Sequence, residues 1–162
     1  MFISNKKSEN MEGEIVYTLE VLPEGCSNSL ILRIVQIPHW GAAMTQSTSR
    51  KVLRTIRLVA KLDAINMGPV VAMVPTGTGR AAILTLVDFI SASLYNGTPS
   101  DMAEWIRWLR GRRAGAVENE DQYVFIARTV FEYIFRTFGE KYGAQFKQFI
   151  PSAADKNMMT VD

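Results

Sequence analysis

The stretch PVVAMVPTGTGRAAILTLVDFI, Pro69 to Ile90, constrains the fold more than any other. Val70 to Val74 is an apolar, β-branched run, and its composition predicts a strand. A turn rich in Gly and Thr follows, Thr76-Gly77-Thr78-Gly79, closing on Arg80. The period then changes, because Ile83, Leu84, Leu86, Val87 and Ile90 recur at helical spacing. Strand, glycine loop and helix start together make the sequence form of an anion cradle. Glycines let successive N–H groups converge, a helix N-terminus adds partial positive charge, and an arginine offers a bidentate fork. The same order also serves as a plain connection in α/β folds, so both readings stand at this point. A nucleotide P-loop does not fit. Val74 stands where its first Gly belongs, Arg80 replaces Lys, and Ala81 replaces the Mg²⁺-binding hydroxyl.

Composition narrows the class. A chain of 162 residues suits one domain. A formal net charge of +2 does not imply nucleic acid, and in the basic run before Gly115, Arg107, Arg110 and Arg112 read as a solvated face rather than a nucleic-acid patch. Cys26 is the one cysteine, so no internal disulfide is available, and no metal-ligand or cofactor spacing stands out. No apolar run reaches the ~18 residues of a membrane span. The start MFISNKKSEN is not a signal peptide, and an intracellular, cytoplasmic protein is expected.

Taken in order, residues 1–13 read as a flexible tail. Glu14 to Val21 and Leu30 to Ile37 alternate as two strands of a hairpin around Pro23-Glu24-Gly25. Pro38-His39-Trp40-Gly41 breaks regular structure. A helix is expected from Ser47–Ser49 to Ala64, with Val52, Leu53, Ile56, Val59, Ala60 and Leu62 inward. After the loop, a helix runs to Tyr95 and a short one spans Asp101 to Arg110. A long helix covers Glu120 to Thr137, its face marked by Tyr123, Val124, Ala127, Val130, Phe131 and Ile134. A last short helix covers Lys141 to Phe149, and residues 151–162 form a tail.

These pieces, in this order, resemble the C-terminal half of a protein tyrosine phosphatase domain. That family carries a Trp-Pro-Asp loop after a strand, then a His-Cys…Arg loop between strand and helix, then an Arg-rich turn and a Gln-containing segment. Trp40 sits in the break after a strand, and Gly77, Gly79 and Arg80 follow the apolar run. LRGRRAGAVENEDQYVFIARTVFEYI, Leu109 to Ile134, is similar to the family's segment in register, with Arg113 and Gln122 at retained positions. The resemblance implies an α/β, truncated tyrosine-phosphatase-like fold over residues 14–150: a small mixed sheet, a strand–P-loop–helix unit and C-terminal helices.

The departures carry the functional expectation. Val74, six residues before Arg80, stands where the family keeps its nucleophilic cysteine, and a valine has no lone pair to attack phosphorus. Ala42 stands at the general acid's place and cannot protonate a leaving phenolate. Ala81 replaces the hydroxyl residue after the arginine, Met73 the histidine, and Glu118 the water-positioning glutamine. Pro75 removes one N–H from the cradle. Gly77, Thr78, Gly79 and Arg80 remain as an anion-loop remnant, with Glu118 the expected mate of Arg80. The resemblance thus implies a pseudophosphatase, a protein-binding or scaffold module with no cofactor and no membrane or nucleic-acid partner. A protein partner or a second copy is expected to cover surface that a fuller domain would bury. The alternative is an enzyme or binder that reuses the loop and Arg80 for a phosphorylated ligand.

Overall fold

The computed structural model describes residues 1–38, 40, 46–66, 68–98 and 101–149. The chain divides into two compact units, Met1–Ala43 and Met44–Asp162. The fold is α/β, as expected. The general-acid position Ala42 and the expected tail 151–162 lie outside the described residues.

The first unit is a three-stranded sheet in the order β1-β2-β3, with β1 Phe2–Met11, β2 Glu14–Leu22 and β3 Leu30–Gln36. Both pairings are antiparallel, so the sheet is not the mixed one expected. A strand also occupies most of the segment read as a tail. Its hairpin turn explains why: Glu12 at φ 58° and Gly13 at φ 95° put two left-handed residues between Met11 and Glu14. That turn matches the twist of the strands it joins. The Gly13 N–H is held by Asn10 Oδ1 at 3.2 Å. The ladder shifts register between Asn5 and Lys7, a bulge at Lys6. β2 and β3 pair from Ile15↔Gln36 to Val21↔Leu30. Pairing places Ile3, Leu19, Val21, Leu30, Leu32 and Ile34 on one face. Glu14 and Val16, on the other, are buried.

The second unit is built of four helices: α1 Gln46–Asn66, α2 Arg80–Tyr95, α3 Met102–Arg110 and α4 Glu120–Phe149. α2 packs against the other three, and α1 also packs on α4. Ile83, Leu86, Val87 and Ile90 of α2 are buried, as its spacing predicts. Each such side chain removed from water contributes about 1.5–3 kcal/mol. α3 begins at Asp101, whose carboxylate accepts from the Ala103 N–H at 2.8 Å. A buried hydrogen bond of 3.0 Å joins the hydroxyls of Ser49 on α1 and Thr129 on α4.

Three expectations need correction here. Pro69 to Val74 is not a strand, and Val71 and Met73 are 81% and 87% exposed. Among the described residues of this unit there is no strand to pair with it, and β composition cannot satisfy a backbone by itself. α4 is one helix where two were expected, since Gly139 costs only about 1 kcal/mol against Ala and cannot break it alone. Its buried face is Gln122, Phe125, Ile126, Thr129 and Val130, while Tyr123, Val124 and Phe131 are exposed. Two neighbouring rows of α4 are apolar, and periodicity does not choose between them. Likewise α1 buries Thr55 and Leu58, whereas Ala60 is exposed.

Candidate functional site

The glycine loop, residues 75–79, is a series of bends leading straight into α2. Gly77 adopts φ +70°, a region that favours glycine, and a Cβ there would lie 2.9 Å from Arg113 Nη2. At Gly79, the residue capping α2, a Cβ would meet Glu118 Oε2 at 2.8 Å and Gln122 Nε2 at 3.0 Å. Gly77 is thus favoured by its backbone conformation, whereas a side chain at Gly79 would have to push aside the ends of Glu118 and Gln122.

What approaches the loop is the segment between α3 and α4. Arg113 donates to the Thr76 carbonyl, and the Val117 N–H reaches the Thr78 carbonyl at 3.4 Å. Glu118 completes the contact. Its carboxylate accepts from the Thr78 hydroxyl, from the Thr76 hydroxyl at 3.3 Å and from Gln122 Nε2 at 2.9 Å. The hydrogen bond from Thr78, then that from Gln122, hold the Glu118 carboxyl below the usual carboxylate range, burial opposes them, and Thr76 adds a smaller lowering.

Glu118 is itself held in place. Arg110 donates from Nε to the Ala116 carbonyl and from Nη2 to the Val117 carbonyl, both at 2.8 Å. Val117 is buried at φ 61°, a strained conformation for a β-branched residue. Gln122 accepts from the Glu118 N–H at 2.9 Å, and Asn119 Oδ1 accepts from the Gln122 N–H at 2.9 Å. This pair of bonds caps the start of α4. Arg110, read from sequence as solvated, is thus a clamp on the turn that presents Glu118. Asn119 went unnoticed, although Asn followed three residues later by Gln is a helix-start signal.

The structure brings together Gly77, Thr78, Gly79, Arg113, Glu118 and Gln122, all expected site positions. Arg80 does not join them. It is exposed and forms no hydrogen bond or ion pair among the described residues, so the expected Arg80–Glu118 pair is not made. The Thr hydroxyls and Gln122 satisfy the carboxylate instead. Ala81 is buried on α2. Val74 accepts at its carbonyl from the Gly77 N–H at 3.2 Å, which spends one of the cradle's donors, and Pro75 has none to offer. Trp40 belongs to the first unit, where it is buried.

Chemically, the loop's two threonine hydroxyls hold a carboxylate. Behind Glu118 an open cleft of about 470 Å³ is lined by Ala103, Ile106, Arg107, Arg110 and Tyr123. Among the described residues no cluster of three His, Cys, Asp or Glu could hold a metal ion. No helix of the described residues is long and apolar enough to cross a membrane.

A presumed tyrosine-protein phosphatase of Caenorhabditis elegans is 30% identical over 130 residues, 80% of this chain and 32% of that protein. Human receptor-type tyrosine-protein phosphatase epsilon is 25% identical over 112 residues, 69% of this chain and 16% of that protein. Human receptor-type tyrosine-protein phosphatase F is 26% identical over 117 residues, 72% of this chain and 6% of that protein. The chain therefore spans about a third or less of the relatives it matches. The sequence profile of the protein-tyrosine phosphatase family matches residues 1–132, and this chain belongs to that family.

Proposed function

We propose that this protein is a catalytically inactive member of its family, a pseudophosphatase that works as a protein-binding or scaffold module. The observation that carries the reading is the Glu118 carboxylate lodged against the loop, with Thr76, Thr78 and Gln122 as its donors. A substrate phosphate would have to displace a negative charge already satisfied there, and like charges repel. Val74, in the nucleophile's place, cannot form a covalent phosphoenzyme. Function then rests on surfaces, toward a protein partner or a second copy, in an intracellular setting.

The second reading is an enzyme or binder of a phosphorylated ligand. It draws support from Arg80, an exposed cation with no partner among the described residues, at the start of α2. Hydrolysis of para-nitrophenyl phosphate separates the two. The proposal expects no turnover that follows the protein through purification. Turnover that persists in pure protein and disappears in Arg80→Ala would favour the second reading.

A further inference from the structure

α1 turns a charged row outward. Arg50, Arg54, Arg57 and Lys61 recur at i, i+4, i+7 and i+11, which is one face of a helix. Arg50, Arg57 and Lys61 are exposed and Arg54 is half-buried, while Val52, Leu53, Thr55 and Leu58 are buried. The row is about 16 Å long, with a cation about every 4.5–6 Å. Charge is concentrated here. α1 holds five of the chain's 18 basic residues and one of its 16 acidic ones, although the formal net charge of the whole chain is only +2. The arginines of the later run are engaged elsewhere: Arg110 on the Ala116 and Val117 carbonyls, Arg112 over the Trp108 ring at 4.0 Å, and Arg113 on the Thr76 carbonyl. Arg57 and Lys61 form no ion pair among the described residues. One end of the row shows how it takes a carboxylate. There Glu132 on α4 accepts from Arg136 Nε at 2.6 Å and from Arg50 Nε at 3.4 Å.

We propose that the outward row of α1 is a docking surface for an acidic segment of a protein partner. It rests on the protein-binding reading above and gives that partner a chemistry. Charge complementarity selects the occupant. Guanidinium groups match carboxylates in a two-point geometry, and Glu132 already bridges two of them at one end. Beyond it, Arg54, Arg57 and Lys61 continue at the intervals at which a helical segment with acids at i, i+4 and i+7 presents its own carboxylates. An anionic membrane is a poorer match. Val52, Leu53 and Leu58 of α1 are buried, so the helix has no apolar face left to insert. A nucleic acid is poorer too, since α1 has no aromatic side chain on which a base could stack and the chain's net charge is small. Contact through exposed charges forms quickly and weakens with salt.

Fluorescence anisotropy of the full chain with a labelled Ala–Glu peptide of about 16 residues tests it. The peptide carries Glu at i, i+4, i+7 and i+11, and its control carries Gln at the same places. In about 50 mM salt, where charges act over more than about 10 Å, saturable binding below about 100 µM is expected for the Glu peptide and none for the Gln peptide. Arg57→Glu and, separately, Lys61→Glu are each expected to weaken it at least about tenfold. Arg107→Glu makes the same change of charge at an exposed position of α3 and is expected to leave affinity within about twofold. Far-UV circular dichroism checks that each variant keeps its helices. No saturable binding of the Glu peptide overturns the proposal, and so does binding that neither α1 variant weakens. A loss that Arg107→Glu reproduces also overturns it, because the attraction then belongs to the whole molecule. Tighter binding of a DNA oligonucleotide or of phosphatidylserine vesicles overturns it in favour of a nucleic acid or a membrane. A chain that neither binds the peptide nor hydrolyses phosphate esters refutes the docking row but not the inactive reading, and an active chain that binds the peptide does the reverse.

Discussion

Thr78 donates its hydroxyl hydrogen bond to the Glu118 carboxylate across 40 residues of sequence. That bond turns a glycine loop built like an anion cradle into one already holding an anion of its own. Thr76 and Gln122 add to it, and Arg110 fixes the turn from which Glu118 extends. The arrangement makes the loop a closed structural unit, and it yields four predictions.

Gly77 and Gly79 should tolerate no side chain, for different reasons. Gly77→Ala combines a left-handed backbone with a close approach to Arg113, and Gly79→Ala drives a methyl into the Glu118 carboxylate and the Gln122 amide. Each is expected to destabilise the second unit by about 1–3 kcal/mol. Gly25 also has a positive φ, but a Cβ there meets nothing within 4 Å. Gly25→Ala should therefore cost less than Gly77→Ala, as read from urea unfolding midpoints.

Arg110→Ala should act at a distance from its own position. It releases the Ala116 and Val117 carbonyls and with them the restraint on a strained Val117. Two hydrogen bonds from a charged donor contribute at most about 3–6 kcal/mol, and the exposure of Arg110 reduces that. The signature is faster amide exchange at Val117 and Glu118, with α1 unchanged. Arg107→Ala, exposed on the same helix, is expected to leave exchange there as it is.

Acid should loosen the loop. The Glu118 carboxyl titrates below its ordinary value because Thr78, Gln122 and Thr76 bond its ionised form. A carboxyl depressed in the folded state contributes stability that is present above its unfolded pKa and lost as pH falls through the folded one. Unfolding midpoints followed by Trp fluorescence should fall as the pH drops below the ordinary carboxylate range. Glu118→Gln should flatten that slope. Glu20, lowered by Lys6 and then by Ser29, titrates in the same direction in the first unit. Asp88, raised by burial, works in the opposite sense.

Val74→Cys should not restore phosphate-ester hydrolysis. The resemblance to the family puts Ala42 in the general acid's place, so a thiol at position 74 would still lack one, and the Glu118 carboxylate would remain on the loop hydroxyls. The same para-nitrophenyl phosphate assay checks this, with Val74→Cys and the double variant Val74→Cys, Glu118→Gln side by side. The first is expected to match the parent protein. Turnover by the first would show that the loop admits phosphate despite Glu118.

The loop was legible in the sequence because glycines at close-approach positions leave a direct mark. Gly77, Gly79, Arg113, Glu118 and Gln122, singled out by the resemblance to the family, meet at one place. The partner of Glu118 was not legible. Opposite charge suggests Arg80, but two hydroxyls and an amide lie nearer. β1 was hidden for another reason. FISNKKSENM is polar, and it is a strand because β2 pairs with it and Glu12-Gly13 turns the chain. The opposite error occurred at Pro69 to Val74, where strand-like composition has no ladder to join among the described residues of the second unit. Pairing is a property of two segments, and one segment's composition cannot report it.

The account turns on whether the loop is occupied by its own carboxylate. Titrating a phosphotyrosyl peptide into the purified protein by calorimetry measures this most directly. No heat of binding is expected from the parent chain, and weak binding is expected in Glu118→Gln, where the charge is gone but the loop remains. Micromolar affinity in the parent chain, abolished by Arg80→Ala, would contradict it.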